Sequence, residues 1–214
     1  MAILNDTERD ALTELGNIGV AKASVALAKL VGGEVRMSVP HVAVRPRAEA
    51  ARGLEEAFSE RLVAVSEAFE GALTGAALLV FPEDHCHGLV RAVLPHMADL
   101  DEIIEMEQEA LSEIGNILIN SCLSTLANML RQRITTSLPR VVYGGAMDIL
   151  PYGGGGDTDH VMIFHVDFTM RERGIKGFIL IVMGVSSLMA LRDCIAALVA
   201  PYADGADSPP DGAA

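Results

Sequence analysis

Glu14-Leu15-Gly16-Asn17-Ile18 recurs 99 residues on as Glu113-Ile114-Gly115-Asn116-Ile117, and this repetition governs how the rest of the chain is read. Val39-Pro40 is answered by Leu138-Pro139 at the same offset, and Leu73-Thr74-Gly75 by Ile175-Lys176-Gly177 at 102. One unit is therefore present twice, over residues 5–97 and 103–199. Two copies of a unit imply a pseudo-twofold fold in which the halves share a core and neither half need be stable alone. The expectation is a single domain over residues 1–200. Residues 201–214, with Asp204, Asp207, Asp211 and no apolar period, are expected to form a disordered acidic tail.

Each half reads as a long helix, a strand, a strand hairpin and a short helix. The first helix starts near Asn5 or Asp6, with Glu8 three residues after Asn5 as a capping-box signal. It carries Leu12, Leu15, Gly19, Ala23, Ala26 and Leu30 at helical spacing and stops at Gly32-Gly33. Its counterpart is predicted over residues 101–133, with Ile104, Leu111, Ile114, Leu118, Cys122, Met129 and Leu130 as the apolar side. Alternation predicts strands at 35–39 and 141–143 and hairpins at 61–69 with 73–81 and at 161–170 with 175–183. Short closing helices follow at 82–94 and 186–199, the latter with Ser186 or Ser187 as its cap. The fold class is thus α+β: a duplicated unit with six antiparallel strands and two long helices on one face.

Composition narrows the function. Lys+Arg 16 against Asp+Glu 29 gives a net charge of −13, unsuited to gripping phosphate backbones or anionic lipid, so neither nucleic acid nor membrane insertion is expected. The hydrophobic fraction of 50% excludes a disordered chain, and 4% aromatics with no Trp leave no stacking platform for bases or sugars. The start of the chain lacks a basic region followed by a long apolar run, and a cytoplasmic protein is expected. Cys86, Cys122 and Cys194 are widely spaced and form no CxxC pair, so they read as small buried hydrophobes.

Glu14 and Asn17 stand at i and i+3 on one helix face, with Asp10 a turn earlier and Ala21, Ser24 and Ala28 beyond. The second helix puts Glu109, Glu113 and Asn116 in the same places, followed by Asn120, Ser124 and Ala127. A carboxylate and a carboxamide thus open onto a track of small residues, where another protein's backbone can come close to a rigid scaffold. A solvated helix surface would account for one such pair. Two copies, each with a proline 23 residues after its Asn (Pro40, Pro139), are hard to explain by solvation. Gly16 and Gly115 lie between the Glu and the Asn, where a helix-interior glycine costs about 1 kcal/mol and needs a packing or approach reason.

These residues resemble the signature of the CheC, CheX and FliY phosphatases of bacterial and archaeal chemotaxis: Asp or Ser, three residues, Glu, two residues, Asn, 22 residues, Pro. Asp10, Glu14, Asn17 and Pro40 match throughout, and Glu113, Asn116 and Pro139 match in the second copy, which has Glu109 at its first position. Two copies resemble CheC more than a single-copy relative. The resemblance implies that the substrate is the phosphorylated receiver CheY. Asn17 and Asn116 would each orient a water in line with its phosphoaspartate, while Glu14 and Glu113 pair with the receiver's lysine. No cofactor of the chain's own is implied, since the Mg²⁺ belongs to the receiver. The alternative is a non-catalytic adaptor, because the flagellar switch proteins share this fold and a CheC-like protein can also bind the deamidase CheD.

Other features read as structural. His85-Cys86-His87 looks metal-like, yet consecutive helical residues point in different directions. Residues 153–156 resemble a phosphate cradle only in their glycines, since Asp157 follows where a Lys-Ser or Lys-Thr belongs. Glu14 with Glu113 as a hydrolase carboxylate pair lacks a substrate-groove signal. Met106, Met129 and Met189 are expected in the core.

Overall fold

A computed structural model describes residues 6–38, 41–57, 61–94, 100–150, 160–170 and 174–203. The first half runs α1 (Asp6–Val31), β1 (Arg36–Met37), β2 (His41–Pro46), α2 (Arg47–Ala57), β3 (Leu62–Gly71), β4 (Gly75–Pro82), a 3₁₀ turn (Glu83–His85) and α3 (Cys86–Val93). The second half repeats that order as α4 (Leu100–Met129), β5 (Ile134–Thr136), β6 (Arg140–Gly144), α5 (Ala146–Ile149), β7 (His160–Met170), β8 (Ile175–Gly184) and α6 (Val185–Ala203).

The strands form one antiparallel sheet in the order β1-β7-β8-β4-β3-β5, with β2 also on β7 and β6 also on β3. Its centre is β4 against β8, where Leu78 faces Leu180. Those two residues are 102 apart, the repeat offset of the hairpins, so the pseudo-twofold axis passes between them. The outer strands are exchanged: β1 and β2 of the first half lie on β7 of the second, and β5 and β6 lie on β3 of the first. The sheet has eight strands among the described residues where six were expected. β2, β5 and α5 are too short to carry a periodic signal, and the buried face of α2 is only Ala50, Ala51 and Leu54, too few large apolar residues to stand out in the sequence.

Each outer edge is bulged at the same place. On β3, Ser66 faces Arg140 and Phe69 faces Thr136, so residues 67–68 oppose 137–139. At this break Ser137 donates its N–H to the Ala68 carbonyl and accepts the Ala68 N–H on its hydroxyl. Ser38 makes the same exchange with Asp167, each partner displaced by the 99-residue offset. Pro139 sits inside the break, where its missing N–H costs no ladder bond. Pro40 lies outside the described residues, as does the Gly153–Gly156 segment.

One sheet face carries α1, α3, α4 and α6 over a core that includes Leu12, Leu27, Val65, Phe69, Leu111, Ile114, Phe168 and Leu191. The other carries α2 and α5 over Leu62, Leu78, Leu180 and Phe178. Arg47 of α2 ties that face together by donating from Nη2 to the Met147 carbonyl at 2.8 Å and from Nε to the Leu150 carbonyl at 3.2 Å.

Several boundaries differ from expectation. α4 stops at Met129 rather than Arg133. Arg131 adopts φ 53° and the Gln132 N–H bonds the Ala127 carbonyl, the helix-ending turn that Gly32 (φ 62°) and Gly33 make onto Ala28 in α1. Neither Ser186 nor Ser187 caps α6, because the helix already begins at Val185, and the Ser187 hydroxyl accepts the Thr74 N–H at 3.0 Å instead. α6 continues through Ala203, so residues 201–203 are helical rather than tail, and residues 204–214 lie outside the described residues. The buried residue at the start of α4 is Ile103 and not the exposed Ile104, and Met189 is 40% exposed rather than core.

Candidate functional site

The two long helices lie side by side on the sheet, and each brings its Glu and Asn to the outer surface. Asp10, Glu14, Glu109 and Glu113 are exposed, and Asn17 and Asn116 are half-buried. The helices can approach the sheet and each other closely because of glycines. A Cβ on Gly115 would lie 2.3 Å from Val65 Cγ1, so α4 rests directly on β3 there. Gly19 faces the Cys122 carbonyl across the α1–α4 contact. Gly16 is buried and lines a small apolar cavity between α1, α4 and the sheet.

The two carboxamides are held differently. In the first site, Asn17 Nδ2 donates to Glu14 Oε2 at 3.4 Å. In the second, Asn116 Oδ1 accepts from Asn120 Nδ2 at 2.7 Å, and the same nitrogen donates to Glu67 Oε2 at 3.2 Å. The Thr136 hydroxyl donates to Asn120 Oδ1 at 3.2 Å. Glu67 is fully buried at the bulge, with no hydrogen-bond partner on Oε1 among the described residues. Burial pushes its carboxyl up to about 7, against the lowering effect of the Asn120 hydrogen bond.

The sequence places Asn120 in the small-residue track and does not single out Glu67 or Thr136. A signal was present: in Val63-Ala64-Val65-Ser66-Glu67-Ala68-Phe69, Glu67 occupies the inward parity of a core strand. Around this second site, Val93, Leu94, Met106, Ala110, Leu138 and Pro139 line a groove of about 540 Å³ with Glu109, Glu113 and Asn116. The bulge pushes Leu138 outward, leaving it 84% exposed. Beside the first site, Ile18 and Val25 are the exposed apolar residues, with Ala21 and Lys22 between them.

The metal-like triplet diverges. Cys86 is buried, His85 Nδ1 accepts the Lys176 N–H at 3.3 Å, and His87 Nε2 lies 3.1 Å from Glu107 Oε2. Tyr143 donates to the other oxygen of Glu107 at 2.8 Å, so this cluster fastens α3, α4 and β6 together. Among the described residues, no group of three or more His, Cys, Asp or Glu could hold a metal ion, and no helix is long and apolar enough to cross a membrane.

The class these observations define is a duplicated, pseudo-twofold α+β protein that carries one Glu-x-x-Asn pair on each of two adjacent long helices. The CheC-like family profile matches residues 8–44 and 106–143, the segments that hold both pairs. The CheY-P phosphatase CheC of Bacillus subtilis is 31% identical over 150 residues, covering 66% of this chain and 70% of that protein. The chain belongs to the CheC-like family. Among solved structures, Thermotoga maritima FliY superposes with a TM-score of 0.68 over 92% of this chain and 99% of that one, at 20% identity. CheX in the CheX-CheY-BeF3-Mg²⁺ complex of Borrelia burgdorferi gives 0.54 over 78% of this chain and 97% of that one, at 17% identity.

Proposed function

We propose that this chain is a phosphatase for the phosphoaspartate of a CheY-type receiver, with one site at Glu14 and Asn17 and the other at Glu113 and Asn116. The observation that carries the reading is the placement of both pairs at equivalent turns of two rigid helices, each Glu exposed beside a half-buried Asn. The Bacillus subtilis relative's name and the existence of a CheX-CheY complex support CheY as the partner.

In the reaction, water attacks phosphorus and the bond from phosphorus to the aspartyl oxygen breaks, releasing phosphate and restoring the carboxylate. The acyl phosphate already has a good leaving group, so orienting the nucleophile is what a partner can add. A neutral carboxamide suits this role, since it donates and accepts without repelling phosphoryl oxygens. The Glu of each pair would dock on the receiver's lysine, and the receiver would supply the Mg²⁺. A pure adaptor needs docking surface but no carboxamide at each site, and that distinguishes the two readings.

The test is decay of a Mg²⁺-bound phospho-receiver with wild type, Asn17→Ala, Asn116→Ala and the double variant. Each single substitution should silence its own site by on the order of 10²-fold, and the two residual activities should sum to about the wild-type rate. The double variant should bind the receiver without accelerating decay. Full activity in the double variant would overturn the assignment, and an unaccelerated decay with wild type bound would leave the adaptor.

A further inference from the structure

The two sites share a motif but not a foundation. Behind Asn116 stand Asn120, Glu67 and Thr136, linked by the hydrogen bonds given above. At the 99-residue offset the first site has Ala21, Val166 and Met37 in their places, Val166 coming from the second half because the outer strands are exchanged, so nothing polar from those positions stands behind Asn17. We propose that Asn120 and Glu67 are positioning residues of the second site, fixing which end of the Asn116 carboxamide faces a bound partner. This rests on the reading of Asn116 as a site residue.

The chemistry follows from counting donors. Asn120 spends both N–H bonds, one on Glu67 and one on Asn116, and its oxygen takes the Thr136 hydroxyl. Asn116 is thereby held with its oxygen inward and its NH2 turned to the groove. That arrangement requires Glu67 to accept, as a carboxylate does. A neutral Glu67 can instead donate to the Asn120 oxygen, with both carboxamides turned over in series and the Asn116 oxygen presented outward. The neutral form is also the cheaper one for the unpartnered Oε1, which then is a carbonyl rather than half of a buried charge.

The surroundings leave Glu67 free to titrate. α4 presents Asn116 and Asn120, β5 presents Thr136, and β4 places Ala77 directly opposite. The charged residues near it along the chain pairings are exposed: Arg140 stands opposite Ser66, whose side chain alternates to the other sheet face, and Glu113 lies at the helix surface. With burial raising it to about 7, Glu67 changes charge near neutral pH.

The experiment has a kinetic and a spectroscopic arm. In an Asn17→Ala background, where only the second site reports, Asn120→Ala should lower kcat on the phospho-receiver by on the order of tenfold or more with KM little changed. The loss should vanish in an Asn116→Ala background, the coupling that separates positioning from general damage to the fold. The kcat profile of Asn17→Ala should inflect near pH 7, and Glu67→Gln, which hydrogen-bonds without titrating, should remove the inflection. In the protein alone, the Asn116 side-chain ¹⁵N resonance should follow the Glu67 carboxyl through one midpoint near 7 and stay fixed in Glu67→Gln. An Asn116 resonance indifferent to Glu67, or an Asn120→Ala effect that persists without Asn116, overturns the proposal. Wild type that fails to accelerate decay overturns the phosphatase reading instead, and the resonance still decides the linkage.

Discussion

A carboxyl group with no exposure and one unpartnered oxygen is a cost carried by the fold, and Glu67 is that group here. Its ordinary value of 4.5 is raised to about 7, chiefly by burial. Between those values the folded chain holds a proton that the unfolded chain has released, so stability contributed by neutral Glu67 is complete below 4.5 and is lost as pH rises through about 7. Glu67→Gln removes that dependence. Urea denaturation at pH 5 and pH 8 should show the wild type losing more stability across the interval than the variant, by on the order of 1 kcal/mol or more. Equal losses in the two proteins would mean that Glu67 is charged throughout.

At the scale of elements, what was legible from sequence was whatever repeats or has length. α1, the two hairpins and the positions of both Glu-x-x-Asn pairs came from periodicity and duplication. The end of α4 did not, because the residue that turns the chain is Arg131, in a conformation that glycine adopts freely and Gly32 supplies in the first half. The hydrogen-bonded support of Asn116 was illegible for another reason: a strand parity shows that Glu67 points inward but not that α4 sets Asn120 above it. Gly115 makes that juxtaposition possible, and two glycine substitutions separate close approach from ordinary contact. Gly115→Ala drives a Cβ to 2.3 Å from a buried Val65 methyl, which should destabilise by about 1–3 kcal/mol and reduce second-site activity. Gly19→Ala meets the Cys122 carbonyl at 3.8 Å, an ordinary contact, and should be neutral or stabilise by up to about 1 kcal/mol through helix propensity. Thermal unfolding of both variants beside the two-site kinetics checks the pair.

For the molecule as a whole, the exchanged outer strands mean that neither half completes its own sheet. Alone, the first half would hold a β3–β4 hairpin without β5 and β6 on one edge, without β8 on the other, and without α4 over Val65 and Phe69. A fragment of residues 1–97 should therefore not be a folded monomer. It could fold only as a pair, with β4 against β4 through Leu78 and each β1 and β2 on the partner copy's β3, the arrangement the pseudo-twofold axis prescribes. In that pair Glu67 takes the place of Val166 and meets Ala21 where Asn120 stands in the full chain, so a buried carboxyl loses its hydrogen-bond partner. Glu67→Val restores the residue the second half uses at that position. Sedimentation velocity and far-ultraviolet circular dichroism should find the wild-type fragment largely unfolded and the Glu67→Val fragment shifted toward a folded dimer as concentration rises. A folded wild-type monomer would show that the halves are independent units and that the strand exchange is not what binds them into one fold.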